Sequence, residues 1–135
     1  MKYVLDTDTS IFFMKGKYNL EQKIREVKFE NIFVSEITIA ELKFGLINAP
    51  EGKKKEKNKI VTTTFIETIA IIPIFDTLDF YAEEKARLRK LGTPIDEFDL
   101  LIGSAAVVND YVMVTNNEKH FNRIKGIRIE NWTKK

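Results

Sequence analysis

The sequence predicts an α/β protein, a three-layer α/β/α sandwich with a central parallel sheet of four or five strands. Short apolar runs lie at residues 3–5, 32–35, 70–74 and 111–114, and a last alternating run lies at 127–130. Segments with helical periodicity separate these runs. Strands that alternate with helices form a parallel sheet covered on both faces, which explains why the strand runs are apolar rather than half polar.

The helices are predicted from apolar spacing and from polar residues typical of helix starts. Asp8 or Thr9 is expected to cap the first helix, Gly92 to end the fifth, and Pro73 to mark its strand as an edge or a strand end. The helical segments are residues 11–14, 19–28, 38–47, 53–69, 76–91, 100–108 with a preceding first turn that contains Asp99, and 118–124.

Composition limits the chemistry that the chain can perform. The 135 residues include no cysteine and a single histidine, His120. Disulfides, thiolate sites and sites built from several imidazoles are therefore excluded, and a Ser-His-Asp hydrolase is disfavoured. A metal site would have oxygen ligands, which Mg²⁺ and Mn²⁺ prefer. The net charge of +2 permits a polyanionic partner but does not indicate one.

The chain is short enough to form one domain, residues 1–135. No signal peptide and no apolar run of membrane-spanning length is recognisable. We therefore expect a cytoplasmic protein without a membrane partner.

Several polar residues fall where predicted strands end or helices begin. Asp6 follows the first strand, Thr115 and Asn117 follow the fourth, and Glu41 and Asp99 lie in first helical turns. Ligands of parallel sheets bind at the carboxyl ends of the strands, so these groups are expected to meet there. Carboxylates without histidine or cysteine suit divalent-metal cleavage of phosphodiesters. Asp6 and Asp99 would bind Mg²⁺ directly, and Glu41 would bind it through water or orient the attacking water. Thr115 and Asn117 would hydrogen-bond a metal-bound water or a phosphate oxygen.

Each of these positions also has a structural interpretation. Thr38-x-x-Glu41 fits a capping box, in which the glutamate reaches back to the threonine amide. Asp96-x-x-Asp99 makes Asp96 a helix N-cap, and an aspartate in the first turn is favoured by the helix dipole. Residues 115–117 equally fit a cap for the next helix. Both interpretations stay open at the level of the sequence.

Two other features have mainly structural explanations. Residues 53–59 carry five lysines and one glutamate, a pattern typical of a solvated helix face. The alternative is that this run and the basic residues at 85–90 contact phosphates along an RNA path. His120 and Phe121 are expected to pack their short helix against the body.

The order and spacing of these motifs resemble a known family along essentially the full length. The motifs lie at residues 3–8, 37–45, 92–102, 114–117, 121 and 130–132. With them the chain resembles the PIN-domain ribonucleases, and within that family the VapC toxins of bacterial and archaeal toxin–antitoxin pairs. The resemblance implies a PIN-like fold and a Mg²⁺-dependent endoribonuclease, with Mn²⁺ as a substitute. It also implies a homodimer and inhibition by a cognate VapB-like antitoxin, and it makes transfer RNA a plausible substrate.

The acidic positions of the family correspond to Asp6, Glu41 and Asp99. Asn117 stands where the family often has a fourth acid, and it is expected to be an accessory group because it supplies no charge. Asp96 stands where close relatives often have glycine and is a second accessory candidate.

Four alternative interpretations of the sequence compete with a VapC-like toxin. Residues 6–9 and 114–116 look like motifs of haloacid-dehalogenase-like phosphatases, but only 20 residues follow Thr115, too few for the rest of that machinery. A receiver-type regulatory domain would need a phosphoacceptor aspartate that the third strand does not offer. A housekeeping PIN nuclease without an antitoxin and a non-catalytic RNA-binding PIN scaffold are the remaining alternatives.

Overall fold

A five-stranded parallel sheet organises the computed structural model, which describes residues 1–134. The strand order is β3-β2-β1-β4-β5. The strands are β1 (Tyr3–Leu5), β2 (Ile32–Ser35), β3 (Ala70–Ile72), β4 (Val112–Val114) and β5 (Ile129–Glu130). The predicted fold class is confirmed. Pro73 directly follows an edge strand, as its missing N–H predicts.

Seven α-helices lie within residues 1–134 and connect the strands. They are α1 (Thr7–Met14), α2 (Leu20–Val27), α3 (Glu36–Asn48), α4 (Lys53–Thr68), α5 (Leu78–Lys90), α6 (Glu97–Val108) and α7 (Glu118–Phe121). Single 3₁₀ turns at Phe29–Asn31 and Phe75–Thr77 precede β2 and α5. None of these helices, within the described residues, has the length and apolar character needed to cross a bilayer.

The sheet separates two apolar cores because successive strand side chains point to opposite faces. Tyr3 and Leu5 pack with side chains from α2, α3 and α4. Val4 and Met113 point to the other face, where they pack with side chains from α5, α6 and α7. The middle strands are therefore covered on both faces, and their carboxyl ends are left as the open edge.

The strand order places a crevice between β1 and β4. The chain proceeds from β1 through β2 to β3 at one edge, then returns to add β4 on the other side of β1. Leu5 pairs with Val114, so Asp6 and Thr115 directly follow paired strand ends. Such a reversal of strand order is where ligands of open α/β sheets bind.

The structure corrects two predicted helix starts. The first helix begins at Thr7 and is capped by Asp6, not by Asp8 or Thr9, since Asp6 leaves the strand in an extended conformation. The third helix begins at Glu36 with Ser35 as its cap. Thr38 therefore lies inside the helix, and the prediction that Thr38 and Glu41 form a capping box is wrong.

The last helix also differs in part from the prediction. Phe121 is fully buried, as predicted. His120 is exposed, so the prediction that it packs against the body is wrong. Its Nδ1 lies 2.9 Å from Nδ2 of Asn117.

Candidate active site

Asp6 lies at the junction of β1 and α1 and is almost completely buried. Its Oδ1 accepts a hydrogen bond from the amide of Thr9 at 2.8 Å, and its Oδ2 accepts one from Oγ1 of Thr115 at 2.6 Å. Burial raises the pKa of Asp6, and the nearby charge of Asp8 adds to this, against the opposing effect of the two threonines. Asp6 is thus a fixed carboxylate at the mouth of the crevice.

Glu41 lies in the second turn of α3 and reaches the start of α1. Its Oε1 accepts a hydrogen bond from Oγ1 of Thr7 at 2.6 Å. Burial raises the pKa of Glu41, and the charges of Asp96, Asp8 and Asp6 raise it further. Glu41 is therefore close enough to the other acids to be affected by their charges.

Asp99 lies in the first turn of α6. Burial raises its pKa from 3.8 to about 6, and the charges of Asp96, Asp6, Glu41 and Asp8 contribute in that order. Asp96 precedes the helix, and its Oδ2 accepts hydrogen bonds from the amides of Phe98 at 3.1 Å and Asp99 at 3.3 Å. The prediction that Asp96 is the N-cap of this helix is confirmed.

The start of α6 is held in place by contacts from two sides. Glu97 accepts a hydrogen bond from the hydroxyl of Tyr81 on α5, and its Oε1 forms a salt bridge with Nζ of Lys85 at 2.8 Å. Nη1 of Arg123 donates to the carbonyl of Pro94 at 2.9 Å. These contacts position the loop before α6 and hence the carboxylate of Asp99.

The predicted site residues do not all come together. Asp6, Glu41, Asp99 and Asp96 influence one another electrostatically. Thr115 joins them through its bond to Asp6. Asn117 is linked only indirectly among the described residues, because its amide N–H donates to Oγ1 of Thr115 and its side chain contacts that of His120.

Two residues of the site, Thr7 and Asp8, were not among the predicted site residues. Asp8 affects the pKa of Asp6, Glu41 and Asp99. Its position two residues after Asp6 is a signal, but the sequence favoured a capping role. Thr7 contacts Glu41 across 34 residues of sequence, so no local pattern indicates it.

The donor chemistry of the acids fits a hydrated divalent cation. Within residues 1–134, no group of three or more His, Cys, Asp or Glu side chains is placed to hold an ion by itself. Mg²⁺ is usually bound through one or two carboxylates and several waters, so a closed protein cage is not required. Each carboxylate oxygen of Asp6 accepts one hydrogen bond and retains a further lone pair. Burial raises these pKa values most and mutual repulsion adds to it, and a bound cation would offset both.

The sequence matches a known family along most of its length. The profile of the PIN domain family matches residues 3–127. The tRNA(fMet)-specific endonuclease VapC of Salmonella typhimurium is 32% identical, and the match covers 98% of each chain. The Ribonuclease VapC2 of Rickettsia felis is 34% identical, with 99% of this chain and 100% of the relative covered. The chain belongs to the VapC family of PIN domain ribonucleases. PIN domain nucleases of the VapC type generally depend on a metal.

Solved VapC structures have the same fold. The structure of DNA-bound VapBC from Salmonella typhimurium aligns with a TM-score of 0.86 at 30% identity and covers 98% of each chain. VapBC2 from Rickettsia felis, bound to a promoter DNA fragment, aligns with a TM-score of 0.82 at 31% identity and covers 98% of this chain and 99% of that one. The predicted PIN-like α/β/α architecture is thereby confirmed.

Proposed function

We propose that this chain is a Mg²⁺-dependent endoribonuclease and the toxin of a VapBC toxin–antitoxin system. One observation carries the catalytic part of the proposal. Asp6, Glu41 and Asp99 come from three different elements, and at the carboxyl ends of β1 and β4 each lies within electrostatic reach of the others. Membership in the VapC ribonuclease family supports the same conclusion.

Each acid has a distinct task in the proposed reaction. Asp6 and Asp99 would hold the cation directly, and Mn²⁺ is expected to replace Mg²⁺. A bound divalent cation would neutralise phosphate charge, lower the pKa of a bound water and steady the leaving oxygen. Glu41 would hold the cation through water or orient the attacking water, and the hydrogen bond from Thr7 fixes its Oε1. Thr115 holds the carboxylate of Asp6 in its orientation.

Asp96 and Asn117 are accessory groups in this proposal. Asp96 keeps the first turn of α6 in place and adds negative charge beside Asp99. Asn117 supplies no charge, and its amide N–H supports Thr115 from behind. With an asparagine here, the carboxylates of Asp6 and Asp99 are the main source of cation affinity.

RNA is the proposed substrate, and transfer RNA is the class to test first. The relative from Salmonella typhimurium is named a tRNA(fMet)-specific endonuclease, and that from Rickettsia felis a ribonuclease. The lysines at residues 53–59 begin α4, and Lys85 contacts the first turn of α6. We keep the prediction that residues 53–59 and 85–90 flank the RNA path, with a salt-dependent affinity as its signature.

A VapB-like antitoxin and a second copy of this chain are the proposed protein partners, in the cytoplasm. The solved relatives from Salmonella typhimurium, Rickettsia felis and Haemophilus influenzae are VapBC complexes. Phe44 and Ile47 are 66% and 80% exposed and lie three residues apart on α3, so they share one face of the helix, and neighbouring apolar side chains left in solvent are suited to coverage by another chain.

The nuclease proposal is tested by incubating the purified protein with a transfer RNA pool. We expect cleavage with Mg²⁺ or Mn²⁺ and no cleavage in EDTA. Cleavage should return when excess Mg²⁺ is added back. Asp6→Asn should abolish cleavage, whereas Asp79→Asn, at an exposed aspartate of α5, should cleave like the wild type. Equal cleavage in Mg²⁺ and EDTA, or undiminished cleavage by Asp6→Asn, would overturn the proposal.

The toxin proposal is tested by inducing expression in bacteria. Growth arrest is expected, together with rescue by the product of a small neighbouring gene and no arrest by Asp6→Asn. Harmless expression of an active enzyme would instead indicate a housekeeping nuclease. RNA binding without cleavage would indicate a non-catalytic scaffold.

A further inference from the structure

The hydroxyl of Thr7 lies where two helices of the site meet. Thr7 is the first residue of α1 and follows Asp6. Its Oγ1 lies 2.6 Å from Oε1 of Glu41 and 3.0 Å from Oγ1 of Thr38. Thr38 is fully buried, and Glu41 follows it by one turn on α3. One side chain of α1 therefore contacts two side chains of α3.

The direction of these two hydrogen bonds follows from the number of protons. A hydroxyl carries one proton, and an ionised carboxylate only accepts. Thr7 therefore donates to Glu41, and it accepts the proton of Thr38. Within residues 1–134, the hydroxyl of Thr38 makes one side-chain hydrogen bond, and its partner is Thr7. The result is a directed chain from Thr38 through Thr7 to Glu41.

We infer that Thr7 is a positioning residue that holds Oε1 of Glu41 and so sets this carboxylate relative to Asp6. The inference rests on the proposed nuclease function. Asp6 is fixed by Thr9 and Thr115, and Thr7 is its neighbour on the same helix start. A flexible glutamate side chain is thereby tied to the element that carries the first acid. Catalytic groups need such support from neighbouring hydrogen bonds to keep their geometry.

The test compares Thr7→Val, which removes the hydroxyl at nearly constant shape, with Thr7→Ser, which keeps it. Loss of a supporting hydrogen bond in a metal site typically costs about 10- to 100-fold in activity or metal affinity. Thr7→Val is expected to lower kcat by this factor with KM for transfer RNA changed by less than about twofold. Thr7→Ser should recover kcat to within about threefold of the wild type. The matched control is Thr63→Val, at an exposed threonine of α4.

Calorimetric titration with Mn²⁺ gives a second measurement that does not depend on cleavage. Thr7→Val is expected to bind Mn²⁺ about tenfold more weakly than the wild type, and Thr7→Ser with near wild-type affinity. Thr7→Val with wild-type kcat and Mn²⁺ affinity would overturn the inference, as would a Thr7→Ser variant impaired as strongly as Thr7→Val. If the wild type fails to cleave RNA, the proposed function falls and the Mn²⁺ comparison decides on Thr7 by itself.

Thr38→Val provides an independent variant should Thr7→Val fail to fold. It removes the donor behind Thr7 and leaves the bond to Glu41 in place. We expect kcat to fall about threefold, less than in Thr7→Val, because the hydrogen bond from Thr7 to Glu41 is weakened but not lost. Wild-type kcat and Mn²⁺ affinity in Thr38→Val would count against the directed chain.

Discussion

Two groups of carboxylates in this protein meet the cost of burial in opposite ways. One is the buried Glu84, and the other is formed by the site acids Asp6, Glu41 and Asp99, of which Asp6 is buried and the other two are half-buried. Glu84 on α5 is 4% exposed, and its oxygens accept hydrogen bonds of 2.6 Å from Nε and Nη2 of Arg87 and from the amide of Lys125. The hydrogen bonds from Arg87 hold the pKa of Glu84 below its usual range. Asp99, in the crevice, has its pKa raised to about 6 by burial and by other acids.

The difference lies in where the positive charge comes from. For Glu84 the chain supplies it, and Nη2 of Arg87 also donates to the carbonyl of Arg123, so that α5 is joined to the segment after α7. For Asp6, Glu41 and Asp99, no salt bridge to a cationic side chain is present among residues 1–134. A paired buried acid stabilises the fold, whereas the site acids, which have no cationic partner among residues 1–134, are suited to recruiting a cation from solution.

The largest expected effect that separates the two groups is on catalysis. Asp99→Asn removes a charge that the proposed reaction needs, and we expect kcat to fall about 10³-fold. The same substitution removes repulsion, so the free energy of unfolding without metal should stay equal or rise. The measurements are RNA cleavage and urea denaturation. A destabilised Asp99→Asn protein would show that this carboxylate is a structural group like Glu84.

The second effect is on stability and concerns Glu84. Glu84→Gln turns one oxygen into an N–H donor that faces other donors, and it leaves Arg87 without a negatively charged partner. We expect the free energy of unfolding to fall by about 2–3 kcal/mol, somewhat below the usual loss for a broken buried pair because Arg87 is partly exposed. Cleavage per folded molecule should stay within about twofold. The control is Glu83→Gln, an exposed neighbour on the same helix, with a change below about 0.5 kcal/mol.

The two groups should also respond to pH with opposite signs. The pKa of Asp99 is raised from 3.8 to about 6, so within this window the folded state binds more protons than the unfolded state. Its contribution to stability therefore falls as pH rises through the window. We expect about 1 kcal/mol, since solvent screening reduces the effect at a partly exposed group.

The contribution of Glu84 behaves in the reverse way, because its pKa is lowered. It is present above the usual carboxyl pKa and is lost as pH falls through the folded-state value. Denaturation in metal-free buffer from about pH 2.5 to about pH 7 measures both effects, with Asp99→Asn and Glu84→Gln as references. Parallel curves for the wild type and Asp99→Asn would contradict the raised pKa.

The smallest effect concerns Asp96, which combines both kinds of behaviour. Asp96→Asn keeps a capping side chain and removes the charge, whereas Asp96→Ala removes both. We expect Asp96→Ala to lose about 1 kcal/mol and Asp96→Asn less than about 0.5 kcal/mol. Cleavage by Asp96→Asn should remain within about tenfold of the wild type if the residue is accessory. A loss as large as that of Asp99→Asn would make Asp96 a direct cation ligand.

Much of the fold was predictable because its signals are local. Apolar runs and helical spacing gave five strands in the right places, and the N-cap of Asp96 follows from residues within one turn of it. The predicted start of the first helix was wrong because several consecutive polar residues could each cap it, and local patterns do not choose between them. Asp6 prevailed because it follows the strand directly and its carboxylate reaches the amide of Thr9.

By itself, the sequence determined the fold class, the family, and which carboxylates are candidates for the site. Only the tertiary structure decided which side chains support them. Thr115 reaches Asp6 across 109 residues, Lys125 reaches Glu84 across 41, and Thr7 reaches Glu41 across 34. Sequence patterns report on neighbours within about one helical turn or one strand. Contacts over such distances depend on how helices pack on the sheet, so the difference between a paired acid and a cation-binding acid appears only in the folded chain.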